Sequence, residues 1–94
     1  MIVVWTNAAI HDLHSIHRYI SQDNPTAATQ VVSGIISIGE DLTTFSHRAR
    51  RGRVSDTYEL VLTRLPYTIA YRITDDQVEI LRVFHHAQLS PDIL

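Results

Sequence analysis

Four arginines stand within six positions, at Arg48, Arg50, Arg51 and Arg53. Gly52 lies among them, and the chain then enters the apolar run Tyr58-Glu59-Leu60-Val61-Leu62. Lysine is absent, so all eight basic residues are arginine. A guanidinium is a planar fork of donors, and it matches the paired oxygens of a phosphate or carboxylate better than a lysine point charge does. The chemistry this predicts is contact with an anionic partner. Arg50, Arg51 and Arg53 supply it from the loop, and Arg64, Arg72 and Arg82 from the segments that follow. Each has a plainer reading beside it. The loop arginines are equally a solvated basic turn. Arg72 has Asp75 and Glu79 as cross-strand partners, a surface pairing worth well under about 1 kcal/mol. Arg82 is flanked by apolar residues in a strand-like run and needs a carboxylate there, for which Glu59 is the nearest choice.

Other chemistry is sparse. His85 and His86 are adjacent, so on a strand they point to opposite faces and do not chelate one ion easily. His11, His14 and His17 follow at helical spacing and read as surface residues rather than a metal face. Tyr58, Tyr67 and Tyr71 read as core or interface aromatics, and Trp5 as core. No serine or cysteine nucleophile with a partner histidine can be assembled, and no glycine pattern cradles a phosphate. No metal and no cofactor is expected. Cysteine is absent, which fits a reducing cytoplasm.

Residues 1–94 fit one small domain with a single core. The apolar share of 45% is ordinary for a folded chain. The net charge of −2 argues against a general nucleic-acid coat. The charges are nevertheless segregated. Up to His47 the acids Asp12, Asp23, Glu40 and Asp41 face only Arg18, and the remaining seven arginines follow. No apolar run is long enough to cross a membrane. Met1-Ile2-Val3-Val4-Trp5 lacks a basic lead and reads as a buried strand.

The elements follow from periodicity. Ile2 to Trp5 is a β-branched strand. Thr6 or Asn7 caps a helix running to Ser21, with Ile10, Leu13 and Ile20 on its apolar side. Asn24-Pro25 starts a second helix. Its stripe Ala28, Val31, Ile35, Ile38, Leu42 and Phe45 predicts one continuous helix. Gly34 and Gly39 each cost it about 1 kcal/mol, which close approach of a neighbouring element would offset. Ser46 to Asp56 reads as a loop, Thr57 to Thr63 as a strand, Tyr67 to Thr74 as an alternating strand, Asp75-Asp76 as a turn, and Val78 to His85 as the last strand. In that strand Leu81 and Val83 are expected on one face and Ile80, Arg82 and Phe84 on the other. The order β-α-α-β-β-β predicts an α+β fold. A four-stranded, antiparallel-rich sheet carries an N-terminal helical hairpin on one face. The opposite face would lie open, bearing Thr68, Arg72 and Arg82.

In order and spacing these residues resemble the RelE/ParE superfamily of toxins from bacterial type II toxin–antitoxin modules. The resemblance spans nearly the whole chain. It rests on Trp5 with Ala8-Ala9-Ile10-His11-Asp12-Leu13, on Tyr19-Ile20, Asn24-Pro25 and Ala27-Ala28, and on Arg51-Gly52-Arg53-Val54. It continues through Tyr58-Glu59-Leu60-Val61, Pro66-Tyr67-Thr68-Ile69-Ala70-Tyr71-Arg72 and Val78-Glu79-Ile80-Leu81-Arg82-Val83-Phe84-His85. It implies a small cytoplasmic toxin neutralised by a cognate antitoxin that docks on the acidic, apolar hairpin and a sheet edge. Operator DNA would be met only through the antitoxin.

The superfamily implies two activities. RelE-like members cut messenger RNA on the ribosome by acid–base and electrostatic catalysis without a metal. On that reading Arg82, His85 and His86 are the catalytic candidates. ParE-like members inhibit DNA gyrase instead. Thr68 stands where some nucleases have an arginine, and arginines replace their lysine-rich loop. The Pro66-Tyr67-x-Ile69-x-Tyr71-Arg72 stretch and the His85-x-x-Gln88 tail look more like ParE. The resemblance therefore favours gyrase inhibition, with ribosome-dependent RNA cleavage as the alternative and an inert co-repressor as a third reading.

Overall fold

The computed structural model describes residues 1–45, 50–52 and 54–86. Strand β1 is Ile2–Trp5 and helix α1 is Asn7–Ser21. Of the two expected caps Thr6 does the work. Its backbone is extended and its Oγ1 accepts from the Ala9 N–H at 3.2 Å. Helix α2, Pro25–Glu40, starts in the same way, with Asn24 Oδ1 accepting from the Ala27 N–H at 3.0 Å and Pro25 in the first turn, where its missing N–H is not needed. The two helices form the expected hairpin.

The predicted continuous second helix is interrupted. It ends at Glu40, and a separate turn of helix, α3, spans Leu42–Phe45. Gly39, Glu40 and Asp41 explain the break. Glycine is a poor helix former, and two acids sit against the negative end of the helix with no basic residue in its last turn. The bend still delivers Leu42, 1% exposed, to the core.

Four strands were expected and five are present among the described residues, in the order β1-β5-β4-β3-β2. The added strand is β2, Arg50–Arg51, inside the segment expected as loop. Strand β3 is Tyr58–Val61, β4 is Tyr67–Ile73 and β5 is Gln77–His85. Strand β1 runs parallel to β5 from Ile2↔Gln77 to Trp5↔Ile80, and every other pairing is antiparallel. The Asp75-Asp76 turn closes as predicted, with the Thr74 N–H donating to the Gln77 carbonyl at 2.9 Å.

A bulge corrects the expected faces of β5. Ala70 pairs with Arg82, yet the next residue, Tyr71, pairs with Ile80, so Leu81 is the extra residue. Ile80 and Val83 thereby reach the same core cluster, which Ile35, Leu42, Ile69, Tyr71 and Val78 complete. Gly39 packs beneath the Trp5 indole. A Cβ there would lie 2.6 Å from the ring and 3.0 Å from Ile80 Cδ1, which is the close approach the sequence called for. The far side of the sheet is not open at its centre, because Thr68, Ala70 and Phe84 are buried. Of the three residues expected to be presented there, Arg72 is exposed, Arg82 is half-buried and Thr68 is covered.

Candidate functional site

The loop that presents the arginines is closed by its own backbone. The Gly52 N–H donates to the Thr57 carbonyl at 2.8 Å, and the Thr57 N–H donates to the Val54 carbonyl at 3.2 Å. Any Cβ at Gly52 would lie 2.3 Å from Thr57 Oγ1, so glycine is a steric requirement there. Asp56, at φ 63°, makes the left-handed step that returns the chain into β3.

This turn pairs β2 with β3, setting Arg50 opposite Glu59 and Arg51 opposite Tyr58. Arg50 Nη2 lies 3.3 Å from Glu59 Oε1, and Glu59 is 5% exposed. Arg50 thus pairs with a buried carboxylate from a side chain that is itself 67% exposed. Arg51 is exposed and sits over the Tyr58 ring at 5.6 Å. Tyr58 stacks in turn on Tyr71, with centroids 5.6 Å apart. Burial, with Tyr58 adding to it, pushes the Tyr71 phenol up to about 12, so it stays protonated well above neutrality. Arg53 lies outside the described residues.

Arg82 is the largest departure from expectation. Its partner is Asp12 of α1, not Glu59. Nε donates to Oδ2 at 2.8 Å and Nη2 to Oδ1 at 3.0 Å, while the Val83 N–H donates to Oδ2 at 2.9 Å. The hydrogen bonding that Arg82 donates to the Asp12 carboxylate is the main cause that raises the Arg82 pKa. The reason is topological. Strand β1 pairs with β5 only as far as Ile80, so the rest of that edge of β5 lacks a strand neighbour from β1. Helix α1 lies along it. Thr6 Oγ1 reaches the carbonyls of Ile80 and Leu81, and Asp12 takes the next N–H. Sequence reasoning missed Asp12. Its signal was an acid beside Leu13 on the inward side of an amphipathic helix.

Among the described residues, Arg50 and Arg82 do not converge. Register places Arg50, Glu59, Ala70 and Arg82 in one row across four strands, so the two arginines are roughly 14 Å apart along it. Arg72 forks onto Glu79 Oε1 at 3.1 and 3.0 Å, the expected cross-strand pair. Arg64 is exposed and has no ion-pair partner among the described residues. It rims a cavity of about 480 Å³ between α2 and β3.

His85 and His86 both meet Tyr67, at different groups. His85 packs edge-on against Tyr67 at 5.3 Å, whereas His86 Nε2 lies 2.7 Å from the Tyr67 carbonyl and therefore donates to it. A cavity of about 450 Å³ separates His85 and Tyr67 from Ser15 and Tyr19 of α1. Burial, and then Tyr19, raises the Tyr67 pKa. Among the described residues no three histidines or acids gather as a metal site, and no helix is long and apolar enough to cross a membrane.

The helical hairpin bears a second surface. A groove of about 650 Å³ runs between α1 and α2 with Trp5 at one end. Its rims carry Ile10 and Ile36, 41% and 38% exposed. Glu40 Oε1 accepts from the Trp5 Nε1–H at 3.0 Å.

Residues 3–90 match the family model described as the ParE toxin of the type II toxin-antitoxin system, parDE. The chain belongs to the ParE toxin family. The putative toxin Y4kP of Sinorhizobium fredii is 43% identical over 90 residues, covering 96% of this chain and 93% of that protein. Toxin RelE2 of Caulobacter vibrioides is 36% identical over 87 residues, covering 93% and 97%. Among solved structures, a chain of the chromosomal ParDE system of P. aeruginosa superimposes with a TM-score of 0.81 at 26% identity, over 90% of this chain and 95% of that one. A chain of the toxin–antitoxin complex RelBE2 of Mycobacterium tuberculosis does so with a TM-score of 0.64 at 27% identity, over 93% and 92%. This member of the ParE family is thus a type II toxin of the RelE/ParE superfamily, and its structural neighbours come from toxin–antitoxin systems.

Proposed function

We propose that this toxin inhibits DNA gyrase, acts in the cytoplasm and is neutralised by a cognate antitoxin, through which alone it meets operator DNA. The observation that carries the gyrase reading is the engagement of Arg82. Cleavage of RNA at a 2′-hydroxyl needs a base or orienting group, a cation on the scissile phosphate and an acid for the leaving oxygen. Here Arg82 spends its fork on Asp12, His86 spends Nε2 on a backbone carbonyl, and Tyr71 is a buried phenol. An inhibitor needs only a complementary surface. The exposed arginines Arg51 and Arg64 supply it in this reading, together with Arg53 and with the outward parts of Arg50 and Arg72.

The likeness to toxin RelE2 supports the alternative, a ribosome-dependent ribonuclease. The tethered Arg82 also favours the third reading, an inert toxin homologue that only co-represses. One preparation separates the three. Purified toxin is tested for trapping of gyrase-cleaved DNA and for message cleavage in a translating extract. Trapped gyrase with intact messages is the expected result. Untouched gyrase with cut messages would replace it with the ribonuclease. Silence in both assays, with operator binding alongside the antitoxin, would leave the co-repressor.

A further inference from the structure

The groove between the two helices carries one carboxylate or guanidinium on its walls, Glu40. We propose that Glu40 selects the antitoxin: the groove takes two turns of an amphipathic antitoxin helix, and a lysine or arginine of that helix meets the Glu40 carboxylate. This rests on the reading that an antitoxin holds this chain. It names the partner's chemistry and the residue that reads it.

The dimensions set the occupant. Val32, Ile36 and Glu40 line the groove from α2 at intervals of four, a ridge of roughly 12 Å. Ile10, Leu13 and His17 face them from α1 over a similar length. An apolar helix presenting side chains at i, i+3 or i+4, and i+7 fills such a trough. Charge sets the partner's sign. Glu40 is held by the Trp5 indole, whose ring is pinned over Gly39. It lies at the negative end of α2, no basic residue occupies the last turn, and Asp41 follows. Among the described residues no cation lies within ion-pair distance of Glu40. The other end of the groove is different, because His17 lies within reach of Ser21 and Thr29. A cation drawn to Glu40 therefore fixes the direction of the docked helix as well as its identity.

Glu40→Gln tests the charge alone, since glutamine keeps an acceptor for the indole N–H. The probe is the antitoxin encoded with this toxin, and Trp5, the single tryptophan, reports occupancy by fluorescence. Glu40→Gln is expected to weaken binding about tenfold at low salt, with the difference shrinking as salt rises. Glu40→Lys weakens it further, and one lysine- or arginine-to-glutamate change in the antitoxin restores it. Ile36→Asp blocks the groove and abolishes binding. If Ile36→Asp blocks while both Glu40 variants bind like the parent, charge selection is wrong and the groove stands. If all three variants bind like the parent, the groove is not the docking surface, although the toxin reading survives. A concentration-dependent dimer that Ile36→Asp dissolves would overturn the choice of occupant. An antitoxin that fails to bind the unaltered chain would remove the underlying reading and this proposal together.

Discussion

The Asp12–Arg82 tether fastens α1 to β5, and its removal has a calculable effect. Asp12→Ala deletes three hydrogen bonds at once. The orphaned Val83 N–H is buried, and such a group costs about 1 to 3 kcal/mol. The Arg82 side chain is 31% exposed, so water recovers part of the lost pairing and the ion pair adds only about 1 kcal/mol. The total is about 2 to 4 kcal/mol. For a chain of this length that lowers Tm by roughly 10 to 20 °C. Asp12→Asn keeps one acceptor for the Val83 N–H and should lose about half as much. Arg82→Ala leaves a largely buried carboxylate with one remaining donor and should lose about 2 kcal/mol. Thermal unfolding of the two alanine variants and their double mutant measures the pairing directly, with a coupling of roughly 1 to 3 kcal/mol expected. Additive losses, or an Asp12→Ala shift under about 4 °C, would refute the tether. Arg82→Ala should lose growth inhibition only as it loses fold. A stable, fully folded and harmless Arg82→Ala would return Arg82 to the target-facing surface.

Four further outcomes are expected. Gly39→Ala should push the Trp5 ring off α2 and break its bond to Glu40, red-shifting tryptophan emission and lowering stability by about 1 kcal/mol after the gain in helix propensity; unchanged emission would count against that packing. Gly52→Ala should destabilise the chain by roughly 1 to 2 kcal/mol through collision with Thr57, and Thr57→Ala in the same chain should recover part of it in denaturant melts. The Tyr71 pKa is raised, so the folded state keeps a phenolic proton that the unfolded state loses near pH 10. That stability is complete below pH 10, and on the order of 2 to 3 kcal/mol disappears by about pH 12, an alkaline decline that Tyr71→Phe should flatten. Arg51→Ala removes an exposed cation stacked on Tyr58 and should change stability by less than about 1 kcal/mol while reducing growth inhibition; undiminished toxicity would take Arg51 off the target surface.

Local signals were reliable where they carried their own physics. Thr6, Asn24-Pro25 and Asp75-Asp76 each mark a boundary by hydrogen-bonding or φ preference, and each boundary falls there. One miss was local, the break at Gly39-Glu40-Asp41 that splits the second helix, and the others are tertiary. Arg50-Arg51 has no strand propensity of its own and becomes β2 because Glu59 and Tyr58 offer a pairing edge and partners for both side chains. The bulge at Leu81 left a trace, because Ile80-Leu81 and Val83-Phe84 are adjacent apolar pairs that strict alternation cannot bury. Asp12 and Arg82 are 70 positions apart, and nothing local links them. The candidate site was legible as a set of residue types and illegible as a geometry, since pairing with a carboxylate is decided by packing.

That geometry separates the toxin's two proposed surfaces. The groove opens at the β1 end of the molecule, where Trp5 reaches α2, whereas the exposed guanidinium of Arg51 is on β2, at the opposite edge of the five-stranded sheet. Four interstrand spacings lie between those edges, roughly 19 Å. A helix seated in the groove therefore does not cover Arg51. An antitoxin that shields both surfaces must continue past the groove as extended chain, and about six residues bridge that distance. On the proposed docking, occupying the groove would supply affinity and, through Glu40, identity, whereas masking of Arg51 would depend on the segment that crosses the sheet, which would make binding and silencing separable in the partner.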